Sequence, residues 1–535
     1  MAGPTLQALK IYWKSLFMIL YPIALLPVFI SNNIAEMRCL YVVCLMAGFW
    51  VFEILPSGVT GLFPIIFFPI MGILDTRTTT MSYFKESNMM FIGGLIIALA
   101  IEYCNLHTRI SLRAIKMIGC SYRRLHFGLV TLTMLVSMWI SNTAATAMML
   151  PIIQAVLQEL EAQGLGKMYE GELDEEGQLD ESTKRPTRVT MCFYIGTAYA
   201  ATIGGLGCIV GSGTNLVLKG IYETEFKKSS GVEFNKWMAA NVPLMLAVMY
   251  PTWVWMQFWF MGLWRPNSED AKAIDVGKEG EKVTRQVLTN KLAEMGFCTI
   301  HEVLVGILFV IAALLWFLRR PGFMKGWPEL ITKTTTGDAT AAMIVVILLF
   351  VIPARYDCSR EISPKLITWQ YVQKKMHWSL IFLMGGGFAI ADGMKASGLG
   401  VMVANELNAV TNYPRLVIMV VGCLIGAVVT QFTSNAAVAN ILLPIVASLA
   451  RKAEIYPMYL MMPVNLSCSF AFCLPVATPP NAIVSMSCNL RTTEMIKVGL
   501  FVEVIAFVML LVIFPNLGSV VWDFNSFPDW AHKEN

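Results

Sequence analysis

Charge is scarce in this 535-residue chain. Asp, Glu, Lys and Arg together make up 14% of it, against 56% hydrophobic residues and a mean hydropathy of +0.61. A soluble domain carries about a quarter charged residues, so a soluble globular reading is excluded. Histidine is scarce too: the five present are scattered without metal-ligand spacing, so no zinc-type centre is expected. No Cys-x-x-Cys pair occurs among the twelve cysteines, which read as reduced core residues of apolar segments. Strand-type alternation of polar and apolar residues is missing from the long apolar runs, which excludes a β-barrel. The net charge of +4 is small and spread over loops, and nothing supports nucleic-acid binding. No small-residue cleavage site follows the first apolar run, about Leu16 to Ile30. That run is therefore read as a first span rather than a removed leader.

What the chain does have is length in its apolar runs. Ile54–Leu74, His126–Gln158, Val189–Leu218, Trp237–Trp264, Leu416–Ala450 and Ile455–Leu490 hold no charged residue. A spanning helix needs about 20 apolar residues, so an all-α polytopic membrane protein is expected. Further spans are placed at 39–56, 301–318, 339–354 and 498–518, and apolar hairpins at 82–104 and 378–400. Residues 105–125 read as a basic loop, with Arg109, Arg113, Lys116, Arg123 and Arg124, and such loops stay on the cytoplasmic side. The acidic stretch 159–188 reads as a solvated linker with a regulatory role as the alternative. The charged stretch 265–297 reads as the joint between halves 1–264 and 298–535, and 360–377 as an interfacial amphipathic helix.

The halves are related. Ser141-Asn142-Thr143-Ala144-Ala145-Thr146-Ala147-Met148-Met149-Leu150-Pro151-Ile152 returns as Ser434-Asn435-Ala436-Ala437-Val438-Ala439-Asn440-Ile441-Leu442-Leu443-Pro444-Ile445, with six of the twelve positions identical. At the same offset Gly93-Gly94 falls on Gly386-Gly387 and Ile97-Ala98 on Ile390-Ala391. Each half thus carries one Ser-Asn break, at 141–143 and 434–436. Each also carries a second, Asn-bearing break: Gly211-Ser212-Gly213-Thr214-Asn215 and Ala477-Thr478-Pro479-Pro480-Asn481. Periodicity alone leaves open whether the halves are inverted or parallel.

Interrupted apolar segments at matching places in two halves are the best sequence pointer to a transporter's substrate site. A break frees backbone N–H and C=O groups that protein, water or ligand must satisfy. Carbonyls with an Asn side-chain oxygen make a hard, oxygen-only cage suited to Na⁺. Helix N-termini with Ser and Thr hydroxyls offer donors to an anion. The runs 126–158, 189–218, 416–450 and 455–490 contain no Lys or Arg. An anion held there depends on helix dipoles, hydroxyl and amide donors and co-bound cations, which is the argument for cation-coupled anion transport. Plain interhelical hydrogen bonding by Ser, Thr and Asn is the bland alternative, and the duplication weighs against it. The intramembrane acids Glu53, Glu102 and Asp392 read as residues at wet helix or hairpin ends, and His126 as interfacial. An intramembrane enzyme is disfavoured because Ser141 and Ser434 have no Lys in their segments, nor a His placed to activate them. An anion channel is disfavoured because two half-spanning breaks suit a gated site rather than a continuous pore.

Ser469-x-x-Phe472-x-x-Pro475-Val476-Ala477-x-x-x-Asn481-x-Ile483-Val484, with Ser141-Asn142-Thr143, the paired glycines and the Gly211-Ser212 loop, resembles the divalent anion–sodium symporter family of dicarboxylate and citrate carriers. The likeness covers nearly the whole chain and is closest to the insect INDY branch. It implies a homodimer in which each protomer has about eleven spanning helices and two re-entrant hairpins in inverted repeats. It also implies a transport domain that moves as an elevator against a dimerising scaffold, the plasma membrane as its location, and no cofactor beyond Na⁺ as coupling ion. By the same resemblance Ser137, Ser141, Asn142 and Gly211 match one sodium site, and Thr430, Thr433, Asn435 and Ala477 the other. Asn142, Thr143, Ser212, Asn435, Thr478 and Pro479 match the positions that meet substrate carboxylates. Insect members are associated with sodium-independent exchange, so symport and exchange both stay open, and the sulfate-carrying branch is the nearest rival. One departure stands out: Ala436 occupies a position that is Thr in bacterial relatives. One hydroxyl is lost there and room is gained, which favours a bulkier tricarboxylate such as citrate.

Overall fold

The computed structural model describes residues 4–118, 121–164, 166–171, 185–274, 277–321, 324–334, 336–355, 363–406 and 411–532. Nearly all of the regular structure is helical; the described strands are β1 (Tyr169–Glu170) and β2 (Arg185–Pro186), which pair as a two-residue ribbon beside the acidic stretch. Residues 172–184 of that stretch lie outside the described residues.

In chain order, the first half begins with α1 (Pro4–Leu25), α2 (Ala35–Val51) and α3 (Thr76–Met81). Next come α4 (Glu86–Tyr103), α5 (Leu106–Ile118), α6 (Tyr122–Ser137) and α7 (Asn142–Ala162). It closes with α8 (Arg188–Gly204), α9 (Gly213–Glu225) and α10 (Phe234–Phe260). The stretch between halves forms α11 (Gly277–Glu294). The second half runs through α12 (Ile300–Phe317), α13 (Asp338–Val351), α14 (Trp369–Lys375), α15 (Trp378–Ser397) and α16 (Leu399–Glu406). It continues with α17 (Arg415–Val429), α18 (Asn435–Lys452), α19 (Pro457–Ser467), α20 (Pro479–Ser487) and α21 (Thr492–Val521).

Among the described residues six helical stretches are long and apolar enough to cross a membrane: Tyr12–Ile30, Thr76–Tyr103, Asn142–Ala162, Ile300–Phe317, Trp378–Ser397 and Thr492–Val521. Their outer faces show why water is not the solvent. On α21 Leu500, Val504, Val508 and Val512 form an exposed stripe at four-residue spacing, while Val498, Val502, Ala506 and Leu510 are buried opposite. An apolar stripe on both faces of a helix belongs in lipid. The chain is a multi-pass membrane protein.

Several sequence expectations are corrected. Residues 82–104 and 378–400 do not reverse: α4 and α15 are continuous helices, preceded in the first case by one 3₁₀ turn. The glycines there permit close packing instead, since a methyl group on Gly386 would lie 2.5 Å from the Gly61 carbonyl oxygen. The helix–turn–helix units are α6–α7 and α17–α18, with the Ser-Asn breaks at their turns. The basic loop 105–125 is largely α5, and its Arg109 is buried, with Nε 2.5 Å from Glu302 Oε2 on α12. Within the stretch 265–297, α11 packs on α5 and α7. The amphipathic helix expected over 360–377 is confined to α14 among the described residues, residues 356–362 lying outside them. His126 is fully buried between α8 and α10, next to the Cys192 carbonyl (3.1 Å) and Gln257 (3.0 Å).

The second-break helices are exchanged between halves. α9 packs on α18 and α20 packs on α7, so each second-break helix lies against the Ser-Asn helix of the other half. That exchange draws all four breaks together.

Candidate functional site at the four breaks

Each Ser-Asn break ends a helix and starts another. Ser141 caps α7 by accepting from Ala144 N (3.3 Å). Ser434 stands at the matching place before α18 without a side-chain cap. In front of the first break, Ser137 Oγ lies 2.8 Å from Asn142 Oδ1 and 2.7 Å from the Ala201 carbonyl oxygen. In front of the second, Thr430 Oγ1 lies 2.7 Å from Asn435 Oδ1 and 2.6 Å from the Cys468 carbonyl oxygen. A hydroxyl has one hydrogen to donate, yet each faces two acceptors at hydrogen-bond distance. Each half therefore closes a cluster of three oxygens, hydroxyl, amide and carbonyl, with a single hydrogen among them. Such a cluster is short of positive charge. Hard oxygen donors without nitrogen or sulfur suit an alkali cation.

The second breaks are braced by asparagines whose roles repeat. Asn215 Nδ2 donates to the Gly205 and Cys208 carbonyls, both at 2.8 Å. Asn481 Nδ2 donates to the Ala471 and Leu474 carbonyls at 2.9 and 3.1 Å. Each amide ties back two carbonyls that the broken helix has released. Thr478 caps α20 by accepting from Asn481 N (3.5 Å), and Pro479 and Pro480 fill the first turn, where a missing N–H costs nothing.

Close backbone approach explains two of the glycines. A methyl group on Gly205 would lie 2.6 Å from Asn142 Oδ1, and one on Gly211 would lie 2.8 Å from the Gly205 carbonyl oxygen. Glycine at 205 is thus what lets the Asn142 amide settle against the second break. Across the halves, Ser212 Oγ, Thr214 Oγ1 and Ser469 Oγ form a hydroxyl chain at 3.0 and 2.9 Å. Asn465 Nδ2 reaches Asn215 Oδ1 at 3.4 Å. A methyl group on Gly213 would meet Ala436 alone, 3.9 Å away, so these two small residues face each other.

The structure thus brings Ser137, Ser141, Asn142, Gly211, Thr430 and Asn435 to the two oxygen clusters and their rims. Ser212 and Thr478 stand at the N-caps of the second-break helices. Thr433 donates its hydroxyl hydrogen to the Trp50 carbonyl of α2 (2.8 Å), which leaves the lone pairs of its oxygen for a cation. Pro479 has no side-chain donor, and Ala477 is buried and has only its backbone to offer. Glu102 faces Tyr371 (3.2 Å) and Lys375 (3.7 Å), Asp392 pairs with Lys85 (2.8 Å), and Glu53 gives its carbonyl to Lys14 (2.8 Å). Glu53 lines a cavity that Ser434 of the second Ser-Asn break also lines, Glu102 lines one with Ala144 in the first turn of α7, and Asp392 lies in a third with Ser82 and Lys85. Lys219, one residue beyond the uncharged run, is buried but held by Glu223 (2.7 Å) and Asp338 (3.0 Å). Thr214, Asn465 and Gln431 were missed as site residues by sequence reasoning. Thr214 and Asn465 lie in the interrupted runs, and their polarity there was the available signal. Among the described residues no His, Cys, Asp and Glu cluster could hold a transition metal, and the described cysteines are unpaired.

A family described as the sodium:sulfate symporter transmembrane region matches residues 8–523. The chain belongs to that family. Among relatives, the Drosophila melanogaster protein I'm not dead yet is 44% identical, covering 97% of this chain and 91% of its own. The Rattus norvegicus Na(+)/citrate cotransporter is 36% identical (96% and 97%), and the Homo sapiens Na(+)/dicarboxylate cotransporter 3 is 33% identical (98% and 95%). In fold, the chain resembles the solved structure of Neisseria gonorrhoeae MtrF, described as one of a class of antimetabolite efflux pumps, at a TM-score of 0.51 and 13% identity over 82% of each chain. As a member of the sodium:sulfate symporter family, the chain is a membrane transporter and not an enzyme.

Proposed function

We propose that this protein is a secondary-active carrier of di- and tricarboxylates, citrate and succinate among them, with the anion held between the four breaks. The observation that carries the reading is the repeated three-oxygen cluster, Ser137–Asn142–Ala201 and Thr430–Asn435–Cys468, with one hydrogen for two acceptors in each. In this reading a cation enters each cluster, and the pair of cations lends the site the positive charge that its residues lack. Asn142, Thr143, Ser212, Asn435 and Thr478 offer amide and hydroxyl donors to carboxylates, and Pro479 shapes the wall. Ser141, Gly211, Thr433 and Ala477 complete the cation cages through their backbone or hydroxyl oxygens. The relatives named for citrate and dicarboxylate cotransport support the substrate class.

The wider arrangement follows as part of the same proposal. Residues 1–264 and 298–535 act as inverted repeats joined by 265–297, with α6–α7 and α17–α18 as the two re-entrant hairpins. Two protomers associate through a scaffold in the plasma membrane while the break-bearing helices travel as a unit. Labelled-citrate uptake into proteoliposomes tests the function, run with an inward Na⁺ gradient, without Na⁺, and without Na⁺ but preloaded with unlabelled dicarboxylate. Strict Na⁺ dependence makes the carrier a symporter, and uptake that needs only preloading makes it an exchanger. Sulfate uptake with none of citrate refutes the substrate assignment.

A further inference from the structure

Glu503 is an acid within the membrane-spanning helix α21 that the carrier chemistry above leaves without a task. Its Oε2 accepts from Gln431 Nε2 at 2.7 Å, and Cys473 Sγ lies 3.9 Å away. The orientation of Gln431 is set by its other bonds: Oε1 accepts from Cys473 N (3.2 Å), and Nε2 also donates to the Phe470 carbonyl (2.8 Å). Gln431 follows Thr430 directly, so the carboxyl stands one side chain away from the second oxygen cluster. No Lys or Arg pairs with Glu503 among the described residues. The other groups around it are known. From α8 comes Tyr199, whose hydroxyl donates to the Phe472 carbonyl (2.9 Å), and from the break comes Cys473. From α10, Trp255 stacks on Phe501 (4.3 Å) and brings no charge, while on α21 itself Glu494 and Lys497 pair with each other (3.0 Å).

The duplication supplies an internal control. Gln431 corresponds to Met138 at the offset of the Ser-Asn motifs, and Cys473 corresponds to Gly207 at the offset that carries Asn215 onto Asn481. Glu503 corresponds to Met245 at the offset between the starts of α10 and α21, Phe234 and Thr492. These three also meet in the first half: a methyl group on Gly207 would lie 2.7 Å from Met245 Sδ and 3.2 Å from Met138 Cε. The same place in the fold is therefore filled by Met–Gly–Met in one half and by Gln–Cys–Glu in the other. Packing alone is satisfied by two thioethers and a glycine. An ionisable group at membrane depth is costly and is kept where it serves function.

We infer that Glu503 binds and releases a proton during transport, making the second break proton-coupled while the first is not. With its proton lost, the carboxylate places a negative charge beside the Thr430–Asn435–Cys468 cluster and favours a cation there. With its proton bound, that charge is gone, so proton and cation are alternative occupants of the second break. The O–H bond forms at Glu503 with a proton drawn from water on one side of the membrane, and it breaks on the other side.

This inference rests on the carrier reading, and one experiment separates the two. The full-length protein is reconstituted with an entrapped pH dye and given labelled 2-oxoglutarate, whose two carboxyls stay ionised near neutral pH. Expected is severalfold faster uptake under an inward proton gradient, with acidification inside. Glu503→Gln loses that response, while counterflow, which needs no net proton movement, survives at a reduced rate. Gln431→Met/Cys473→Gly/Glu503→Met installs the packing of the first half and gives the same result should the single variant fold poorly. A proton response in Glu503→Gln equal to that of the unaltered protein overturns the inference, as does an unaltered protein that exchanges 2-oxoglutarate without any proton response. Loss of counterflow in both variants, if they fold, assigns Glu503 to bracing the break and also overturns it. No 2-oxoglutarate, citrate or succinate movement under any condition overturns the carrier reading itself.

Discussion

Gly205→Ala is the sharpest perturbation the site allows. Gly205 closes α8 with φ −58° and ψ −17°, a conformation that alanine adopts without strain, so the effect is purely steric. The added methyl carbon would lie 2.6 Å from Asn142 Oδ1, 3.1 Å from Nδ2 and 3.2 Å from Cγ. To restore ordinary contact the amide must retreat by about 0.8 Å, and displacement of a positioned group by roughly 1 Å costs on the order of a hundredfold in rate. The retreat also opens the Ser137–Asn142–Ala201 cluster, whose contacts are 2.7 and 2.8 Å. Overpacking costs roughly 1–3 kcal/mol of stability, which a membrane protein of this size survives. Citrate uptake in proteoliposomes should fall by about two orders of magnitude with monodisperse protein retained. Gly213→Ala is the comparison, because its methyl group would meet Ala436 at 3.9 Å, an ordinary contact that displaces no group of either oxygen cluster. Uptake by Gly205→Ala equal to that of Gly213→Ala would refute the reasoning.

Other outcomes follow from the same geometry. Asn142→Ala and Asn435→Ala each remove the amide oxygen of one cluster and should abolish or severely reduce uptake with surface expression intact; normal uptake by either removes that residue from the site. Ala436→Thr returns a hydroxyl and takes up space opposite Gly213, so citrate uptake should fall relative to succinate; an unchanged citrate/succinate ratio counts against the idea. Asn481→Ala strands the Ala471 and Leu474 carbonyls and should cost roughly 1–3 kcal/mol, read as a lowered unfolding midpoint in detergent, with Asn215→Ala behaving alike. Thr433→Val removes a hydroxyl oxygen of the second cation cage and its bond to Trp50, so uptake should fall; uptake close to normal would limit Thr433 to its backbone oxygen there.

Membrane class and the positions of all four breaks were legible in the order of residues. They are local properties: an uncharged run excludes water wherever it packs, and a Ser-Asn pair inside such a run interrupts a helix in either half. The Ser141–Asn142 and Ser434–Asn435 breaks stand where the repeat put them. Residues 82–104 and 378–400 read as hairpins because a Gly-Gly pair serves equally as a turn or as a close helix crossing. At Gly386 the neighbour that decides, the Gly61 carbonyl, comes from far away in the chain. What each polar group faces was settled only by tertiary contact. Ser137 and Thr430 gain their third oxygen from Ala201 and Cys468, Thr433 donates to Trp50, and Arg109 is drawn inward by Glu302. Glu503 went unnoticed because one acid in a long apolar helix has no periodic signature. Its meaning lies in its partners, Gln431 and Cys473, and in the methionines that take their places in the other half. Sequence records which atoms a segment owns, and packing decides which of them share a hydrogen.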